Sequence, residues 1–447
     1  PRPRGTLRDA SRRVARGRGV YRRAGDGIVT TQLTTLPNGV RVVTRSMPHV
    51  ETVALGLHVD TGARLETEGT NGVAHLLEHM VFKGTRTRTA RAIAEEIEDV
   101  GGSLNAYTAR DMTVFHARLL ADDTALGIEL IADLVRSPRF DEDELEREKA
   151  VVLQELGEAR DTPDDIVFDH LQAAAYPDQS IGRSILGSEA SIAALTATDL
   201  RDWLSVQYRG GSCIVAAAGK VDHDALVSLS ERLFGDLDPG VRPPAAPAVF
   251  APGVHHDRRK FEQAHLTLGA PAPGHHDADY DAIALFVTAV GGGASSRLFQ
   301  ELREERGLAY SVYASTTPYA DAGLFSVYLA TAKKDAGRAI DLAVKVLGDT
   351  ASGLRPDELA RAKAQVRAGL LMSLESPGGW AEYLARQLLA HGRIKAPADL
   401  VARIDAVDLD TVRAAAGRML AGPYAVADVG AAALKHAPSA AALKHAA

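Results

Sequence analysis

Apolar residues recur along this chain at two periods, and the switching between them predicts its strands and helices. Thr31-Gln32-Leu33-Thr34-Thr35-Leu36 alternates, Pro37-Asn38-Gly39 supplies a turn, and Val40-Arg41-Val42-Val43-Thr44 returns, so residues 30–46 read as a hairpin. Residues 52–59 alternate as a third strand, ended by Asp60-Thr61-Gly62. Val73, Ala74, Leu76, Leu77 and Met80 then fall at helical spacing and predict a helix over about 71–82, with Thr70 and Asn71 as candidate caps. Residues 90–100 are amphipathic and stop at Gly101-Gly102, and 103–108 and 113–119 read as strands. Helices over 122–135, 141–160 (capped by Asp141), 163–176, 196–208 and 222–234, with a strand over 213–219, complete one mixed α+β unit.

A Pro/Ala-rich stretch, Pro239-Gly240-Val241-Arg242-Pro243-Pro244-Ala245-Ala246-Pro247, reads as an extended linker. Beyond it the order of elements repeats. Strands are expected over 264–269, 309–316 and 324–330, and helices over 279–290, 335–347 and 356–371. Phe140-Asp141-Glu142-Asp143-Glu144-Leu145 answers Leu354-Arg355-Pro356-Asp357-Glu358-Leu359, which implies a domain duplicated at a period of about 214 residues. The fold class is therefore α+β: two homologous domains, each a mixed, mostly antiparallel sheet packed with helices. The expected boundaries are a basic extension over 1–27, a first domain over 28–238, a linker over 239–253, a second domain over 254–430 and an Ala-rich tail over 431–447.

Composition narrows the possibilities. Hydrophobic residues make up 46% of the 447, enough for large cores, and no apolar run is long enough to span a membrane. The single cysteine, Cys213, excludes a disulfide framework within one chain and lies in a strand-like apolar run. Net charge is −7, yet residues 1–26 hold nine Arg against Asp9 and Asp26, so the body of the chain is strongly acidic. Such a body disfavours nucleic acid and favours basic or neutral peptides. The Arg-rich start reads as a basic arm or transit-like segment that packs poorly. A reducing, soluble compartment fits best. His255-His256 and His275-His276 read as surface pairs in loops.

The chemistry gathers in His75-Leu76-Leu77-Glu78-His79. Two His four apart share a helix face, about 6 Å apart along the axis, so both imidazoles can grip one metal ion while Glu78 flanks them. H-x-x-E-H is the inverted order of the zinc-peptidase motif. Two His need a third ligand, usually a carboxylate, and an open position. Glu155 lies on the long helix over 141–160, and Glu148 precedes it by two turns on the same face, about 10 Å away. Spacing alone does not choose among the carboxylates of this helix. Glu148 suits a supporting hydrogen bond to a ligand better than a place on the same ion.

HLLEHMVFKGT over 75–85 resembles the signature of the pitrilysin/insulinase-type inverted zincins, closest to the small group similar to the mitochondrial processing peptidase β subunit. Val151-Val152-Leu153-Gln154-Glu155-Leu156 matches that family's ligand segment, and Gly102-Ser103-Leu104-Asn105-Ala106-Tyr107-Thr108 its active-site edge strand. The resemblance covers roughly residues 30–430. It implies one Zn2+ per chain on His75, His79 and Glu155, Glu78 as general base, Glu148 in support, and a substrate strand laid beside Ser103, Leu104, Asn105, Ala106 and Tyr107. In the second half Gly291-Gly292-Gly293 opens a helix and is a further substrate-binding candidate. Arg303 and Tyr310 match an Arg and a Tyr that such proteins direct at the substrate backbone and oxyanion.

The implied activity is zinc-dependent endopeptidase action on extended oligopeptides or flexible segments, by a homodimer in which one chain's zinc half faces the other's Arg303/Tyr310 half. The expected location is bacterial cytoplasm, with the mitochondrial matrix as alternative. Two other roles share the fold, a silent scaffold subunit and a partner-dependent subunit. The intact His75, Glu78, His79 and Glu155 argue against the first, and the presence of both halves of the site against the second.

Overall fold

The structure, a computed structural model, describes residues 19–21 and 30–430. Apart from Gly19–Tyr21, the basic extension expected over 1–27 lies outside the described residues, as does the Ala-rich tail over 431–447.

Strands and helices of the first half are β1 (Gly19–Tyr21), β2 (Thr31–Thr35), β3 (Arg41–Ser46), β4 (Thr52–Val59), α1 (Val73–Val81), α2 (Ala90–Asp99), β5 (Ser103–Thr108), β6 (Thr113–Leu120), α3 (Thr124–Arg136), α4 (Glu142–Asp161), α5 (Pro163–Ala175), α6 (Glu189–Ala194), α7 (Ala197–Gln207), β7 (Cys213–Gly219) and α8 (His223–Phe234). The second half has β8 (Val254–Asp257), β9 (Gln263–Ala272), α9 (Tyr280–Gly291), β10 (Ala309–Pro318), β11 (Gly323–Ala332), α10 (Ala336–Gly353), α11 (Pro356–Ser373), α12 (Pro377–His391), α13 (Pro397–Ala406), α14 (Leu409–Leu420) and β12 (Ala425–Val429).

The first sheet runs β1-β2-β3-β7-β4-β6-β5 and the second β10-β11-β9-β12-β8. Each holds one parallel pair, β3 with β7 and β8 with β12, among antiparallel neighbours. Read from its edge, the second sheet repeats the order β3-β7-β4-β6-β5 of the first. The duplication is thus visible as topology, and the fold is two α+β domains. Within the segment expected as a loose extension, Gly19–Tyr21 instead pair antiparallel with β2.

Alternation sends the two faces of each sheet to different covers. In the first sheet Val42, Leu55, Leu57, Ala106, Phe115, Val215 and Ala217 pack with α1 and α3. Val43, Ile214 and Ala216 point the other way, onto Leu384, Ala385 and Leu388 of α12, a helix of the second half. In the second sheet Leu266, Leu268, Phe325 and Val327 pack on α9, α10 and α14. Its other face, with Leu324, Tyr328, Ala425, Ala427 and Val429, closes on Ile166, Val167, Leu171 and Ala175 of α5, a helix of the first half. The two domains therefore exchange a helix. α5 and α12 start at Pro163 and Pro377, and α4 and α11 at Glu142 and Pro356, so both pairs keep the period of about 214 residues.

The stretch over 239–253 is extended, as its prolines dictate, but it is pinned. Arg64 is buried and donates to the Ala246 carbonyl at 2.9 Å and to Asp321 at 2.6 Å, with Asp111 at 3.5 Å. Gln179 pairs with the Val249 backbone in both directions, at 2.7 and 2.8 Å. Three expectations need correction. Asp141 stands at the start of α4, but its carboxylate pairs with Arg139 and caps nothing. His255 and His256 lie on a strand, not in a loop, because β8 adds in parallel beside β12. His255 stacks on His170 of α5 with ring centroids 3.9 Å apart, and His256 bonds to the buried Asp428. The pattern also leaves out α12, α13, α14 and β12, which complete the second domain.

If α12 is the cover of the first sheet, Leu384→Ala should cost about 2–5 kcal/mol, the range for a fully buried Leu. Equilibrium unfolding in denaturant measures this. A loss under about 1 kcal/mol would mean that the exchanged helix contributes little.

Candidate metal centre

The site is built on two helices of the first domain. α1 is apolar on the side that meets the sheet, where Val73, Leu76, Leu77 and Met80 are buried. The opposite side leaves His75 and His79 against α4. Their Nε2 atoms lie 3.7 and 3.6 Å from Oε2 of Glu155, and the rings are 4.7 Å apart at 66°. One donor atom from each of the three residues lies within 4.8 Å of the others, and among the described residues this is the one such group of His and carboxylate donors. Glu148 sits one layer behind. Its Oε2 is 3.1 Å from His79 Nδ1 and its Oε1 is 2.8 Å from Lys83 Nζ. A carboxylate on Nδ1 fixes the ring and leaves Nε2 free to ligate, the usual outer contact of a metal-binding His. Burial, followed by the neighbouring His79, pushes His75 down to about 4, so it is neutral and a competent donor at ordinary pH. Two imidazoles and a carboxylate converging on one point suit zinc with an open position.

Glu78 lies beside this group, at the end of β5. Burial pushes its carboxyl above the usual range, while the hydroxyl and backbone N–H of Thr108 pull it back. Its Oε2 is buried and has no hydrogen-bond partner among the described residues, which leaves one oxygen to take a proton.

β5 is the edge of the first sheet. Ala109 N–H donates to the Met112 carbonyl at 2.8 Å, which sets the ladder phase. Residues 103, 105 and 107 then pair with β6, and Leu104, Ala106 and Thr108 turn their backbone groups to the open edge. The Ala106 N–H is met there by its neighbour's Asn105 Oδ1, at 2.9 Å. Side chains follow the opposite logic. Ala106 packs into the core beside α1, whereas the Tyr107 hydroxyl donates to Glu382 of α12 at 2.9 Å, on the other face.

Arg303 and Tyr310 come together in the second domain. Arg303 belongs to a π-helical turn, Phe299–Glu304, with its guanidinium 4.7 Å from the Phe299 ring and 5.6 Å from the Tyr310 ring. Tyr310 is the extra residue of a bulge between Ala309 and Ser311 on edge strand β10, and is 73% exposed. Bulges and π-turns both re-aim side chains and recur at functional sites. Ring and ion-pair contacts of Arg303 are with Phe299, Glu304 and Tyr310. Gly291 ends α9, and a Cβ there would stand 2.4 Å from the Ala314 amide nitrogen, so close helix–strand packing accounts for it. Gly292 is exposed, and Gly293 has space around it.

Two groups escape the sequence pattern. Lys83, one turn past His79, neutralises Glu148; its i+4 spacing was the available signal. The other is Glu66. Thr70 and Asn71 do not cap α1. Gly72 takes the cap position at φ 94°, a conformation that favours glycine, and makes no side-chain bond. Glu66 reaches in from outside and accepts from Gly72 N–H at 2.8 Å, Ala74 N–H at 3.0 Å and Asn71 Nδ2 at 2.9 Å. Burial pushes its carboxyl up to about 7, against the pull of these donors.

Fold and donor set together describe a two-domain α+β protein with one candidate metal site on its first domain. Residues 41–189 match the family model described as Insulinase (Peptidase family M16), and residues 194–366 the Peptidase M16 inactive domain. An uncharacterized zinc protease of Mycobacterium leprae is 37% identical over 428 residues, 94% of each chain. One from Streptomyces coelicolor is 38% identical over 404 residues, 88% of each. A probable mitochondrial-processing peptidase subunit beta of Arabidopsis thaliana is 36% identical over 87% of this chain and 76% of that one. The chain belongs to the insulinase family, peptidase family M16. Two solved structures share the fold. A Pseudomonas fluorescens peptidase M16 inactive domain has TM-score 0.84 at 22% identity, covering 91% of this chain and 99% of its own. A Helicobacter pylori protease has TM-score 0.82 at 20% identity, covering 90% and 99%.

Glu66→Ala should orphan three buried donors at the start of the helix that carries both His. The expected cost is about 3 kcal/mol, from hydrogen bonds to a charged group. Urea denaturation reads it, and a loss near zero would show that other groups hold the helix start.

Proposed function

We propose that this chain is a zinc-dependent endopeptidase that cleaves extended oligopeptides or flexible segments of polypeptide. His75, His79 and Glu155 would hold one zinc per chain. The observation that carries the reading is the convergence of both Nε2 atoms on Glu155 Oε2, with a partly unpartnered Glu78 alongside at the end of an open strand edge. Zinc in that position supplies Lewis-acid polarisation of a carbonyl and acidification of water. The chain's own residues do the rest. A peptide adds to β5 through the backbone groups of Leu104 and Ala106 and the carbonyl of Thr108, displacing Asn105 Oδ1 from the Ala106 N–H. Glu78 accepts a proton from the attacking water and passes it to the leaving amine. Glu148, neutralised by Lys83, keeps the His79 ring in place.

Arg303 and Tyr310 act in this reading on the substrate backbone and the developing oxyanion. The proposed assembly is a homodimer with two sites, the first domain of one chain facing the second domain of the other. Support comes from the exchanged helices and the pinned linker, which oppose a hinge that would swing a chain's own Arg303 over its His75. Tyr310, exposed on an edge strand, stays available to a partner. Among the described residues no helix is long and apolar enough to cross a membrane.

Metal analysis should find about one zinc per chain, lost in His79→Ala. Glu78→Gln should keep the zinc and slow peptide cleavage by about 10²- to 10⁴-fold, the usual worth of a general base. Near-normal turnover in that variant would remove Glu78 from the mechanism.

Assembly has its own test. Glu78→Gln and Arg303→Ala chains should each be nearly inactive. After subunit exchange, a mixed dimer has one site with both lesions and one with neither, so activity should partly return. No recovery, with exchange verified, would mean that each site is built within one chain.

A further inference from the structure

We infer that Tyr107 and Glu382 are positioning residues that hold the substrate-receiving strand β5 against helix α12 of the second domain. This rests on the reading that β5 takes a peptide as an added strand. The two faces of β5 are held in different ways. On the α1 side, Ala106 is buried in the core and Thr108 donates to the Ala74 carbonyl at 3.4 Å. On the α12 side the strand is not held by apolar packing. A cavity of about 340 Å³ opens between it and α12, lined by His58, Tyr107, His116, Arg118, Ala381 and Glu382. Across that space the Tyr107 hydroxyl donates to Glu382 Oε1 at 2.9 Å. Ser103 and Asn105, the other side chains on this face, are exposed.

Glu382 is itself fixed. Arg386, one turn on, donates to the same oxygen, and His58 Nδ1 is 3.9 Å from the other. His58 is 1% exposed, and its Nδ1 has no hydrogen-bond partner among the described residues, so it faces Glu382 from β4 without satisfying it. A carboxylate held by a guanidinium is a strong, directional acceptor. The hydroxyl therefore fixes the strand at the residue between Ala106 and Thr108, whose backbone groups form the open edge. Thr108 in turn touches Glu78. A shift of β5 would misplace the added peptide before it disturbed the metal ligands, which stand on α1 and α4. The effect belongs in substrate binding more than in the chemical step.

The test uses the full-length, zinc-loaded protein and one peptide substrate. Tyr107→Phe and Glu382→Ala should each raise KM about tenfold with kcat changed less than about threefold, a loss of uniform binding. The double variant should be little worse than either single one, since both remove one bond. Glu382→Gln keeps an acceptor and should stay near wild type in KM. Zinc content and thermal midpoint are followed in parallel. A Tyr107→Phe variant that lowers the midpoint but leaves KM unchanged has a structural bond only, and the inference fails. A rise in KM in which Glu382→Gln is as poor as Glu382→Ala also overturns it. A substrate series with one backbone N-methyl group at each position tests the underlying reading in the wild type. If no methyl group weakens binding, strand addition itself is wrong. If some do while Tyr107→Phe keeps its KM, only the positioning role is lost.

Discussion

A sheet covered on one face leaves its other apolar face to water, and in this chain each domain closes that face for the other. α5 leaves the first domain to cover the second sheet, and α12 leaves the second to cover the first. Both helices begin with proline at equivalent points of the duplication, so one ancestral arrangement accounts for both crossings. Neither core is complete without the other half of the chain. The buried Arg64, between Asp111, Asp321 and the linker carbonyl of Ala246, fixes the same relation by charge. Such a guanidinium tolerates no loss of one partner, because the charge that remains is already desolvated.

The candidate metal centre inherits this rigidity. α4 runs directly into α5 across Thr162, so the helix that carries Glu148 and Glu155 is anchored at its end by the second sheet. α1 is anchored at its start by Glu66 and along its length by the first core. Two helices anchored in these ways bring one donor atom each of His75, His79 and Glu155 within 4.8 Å of one another. The counterpart helices show what the duplication started from or gave up. α9 occupies the place of α1 and puts Ala282 and Phe286 into its core, and on α11 the same offset sets Ala362 at the place of Glu148 and Gly369 at that of Glu155. Neither of those places on α11 holds a carboxylate.

Most strands and helices were legible because amphipathic period is a local property, and the first half follows it from β2 to α8 apart from the short α6. The H-x-x-E-H pair was legible for the same reason: four residues on one helix are one local geometry. Glu155 was not legible from spacing alone, since its partners lie on another helix and only the resemblance singled it out. Glu66 was missed because it caps from a preceding turn, six residues ahead of the amide of Gly72. The exchange of helices was invisible for a related reason: an apolar stripe says that a face is buried, not against which sheet. His255 and His256 were misplaced because β8 is short and pairs in parallel with a strand about 170 residues away, a contact that no local pattern encodes.

The two sheets end in equivalent edge strands, β5 and β10, and the duplication has given them different work. β5 is regular, with a clean ladder phase and its backbone groups offered at the edge, as an added strand requires. β10 is interrupted at Tyr310, which breaks the register and presents a side chain in place of a continuous edge. A bulge at an edge also discourages further strand pairing, so β10 is poorly suited to receive peptide and well suited to present a phenol beside a guanidinium. In the proposed reading, one edge therefore binds by backbone and the other acts by side chain. The exchanged helices keep both edges at fixed positions in the same chain, and Tyr107 ties β5 directly to one of those helices.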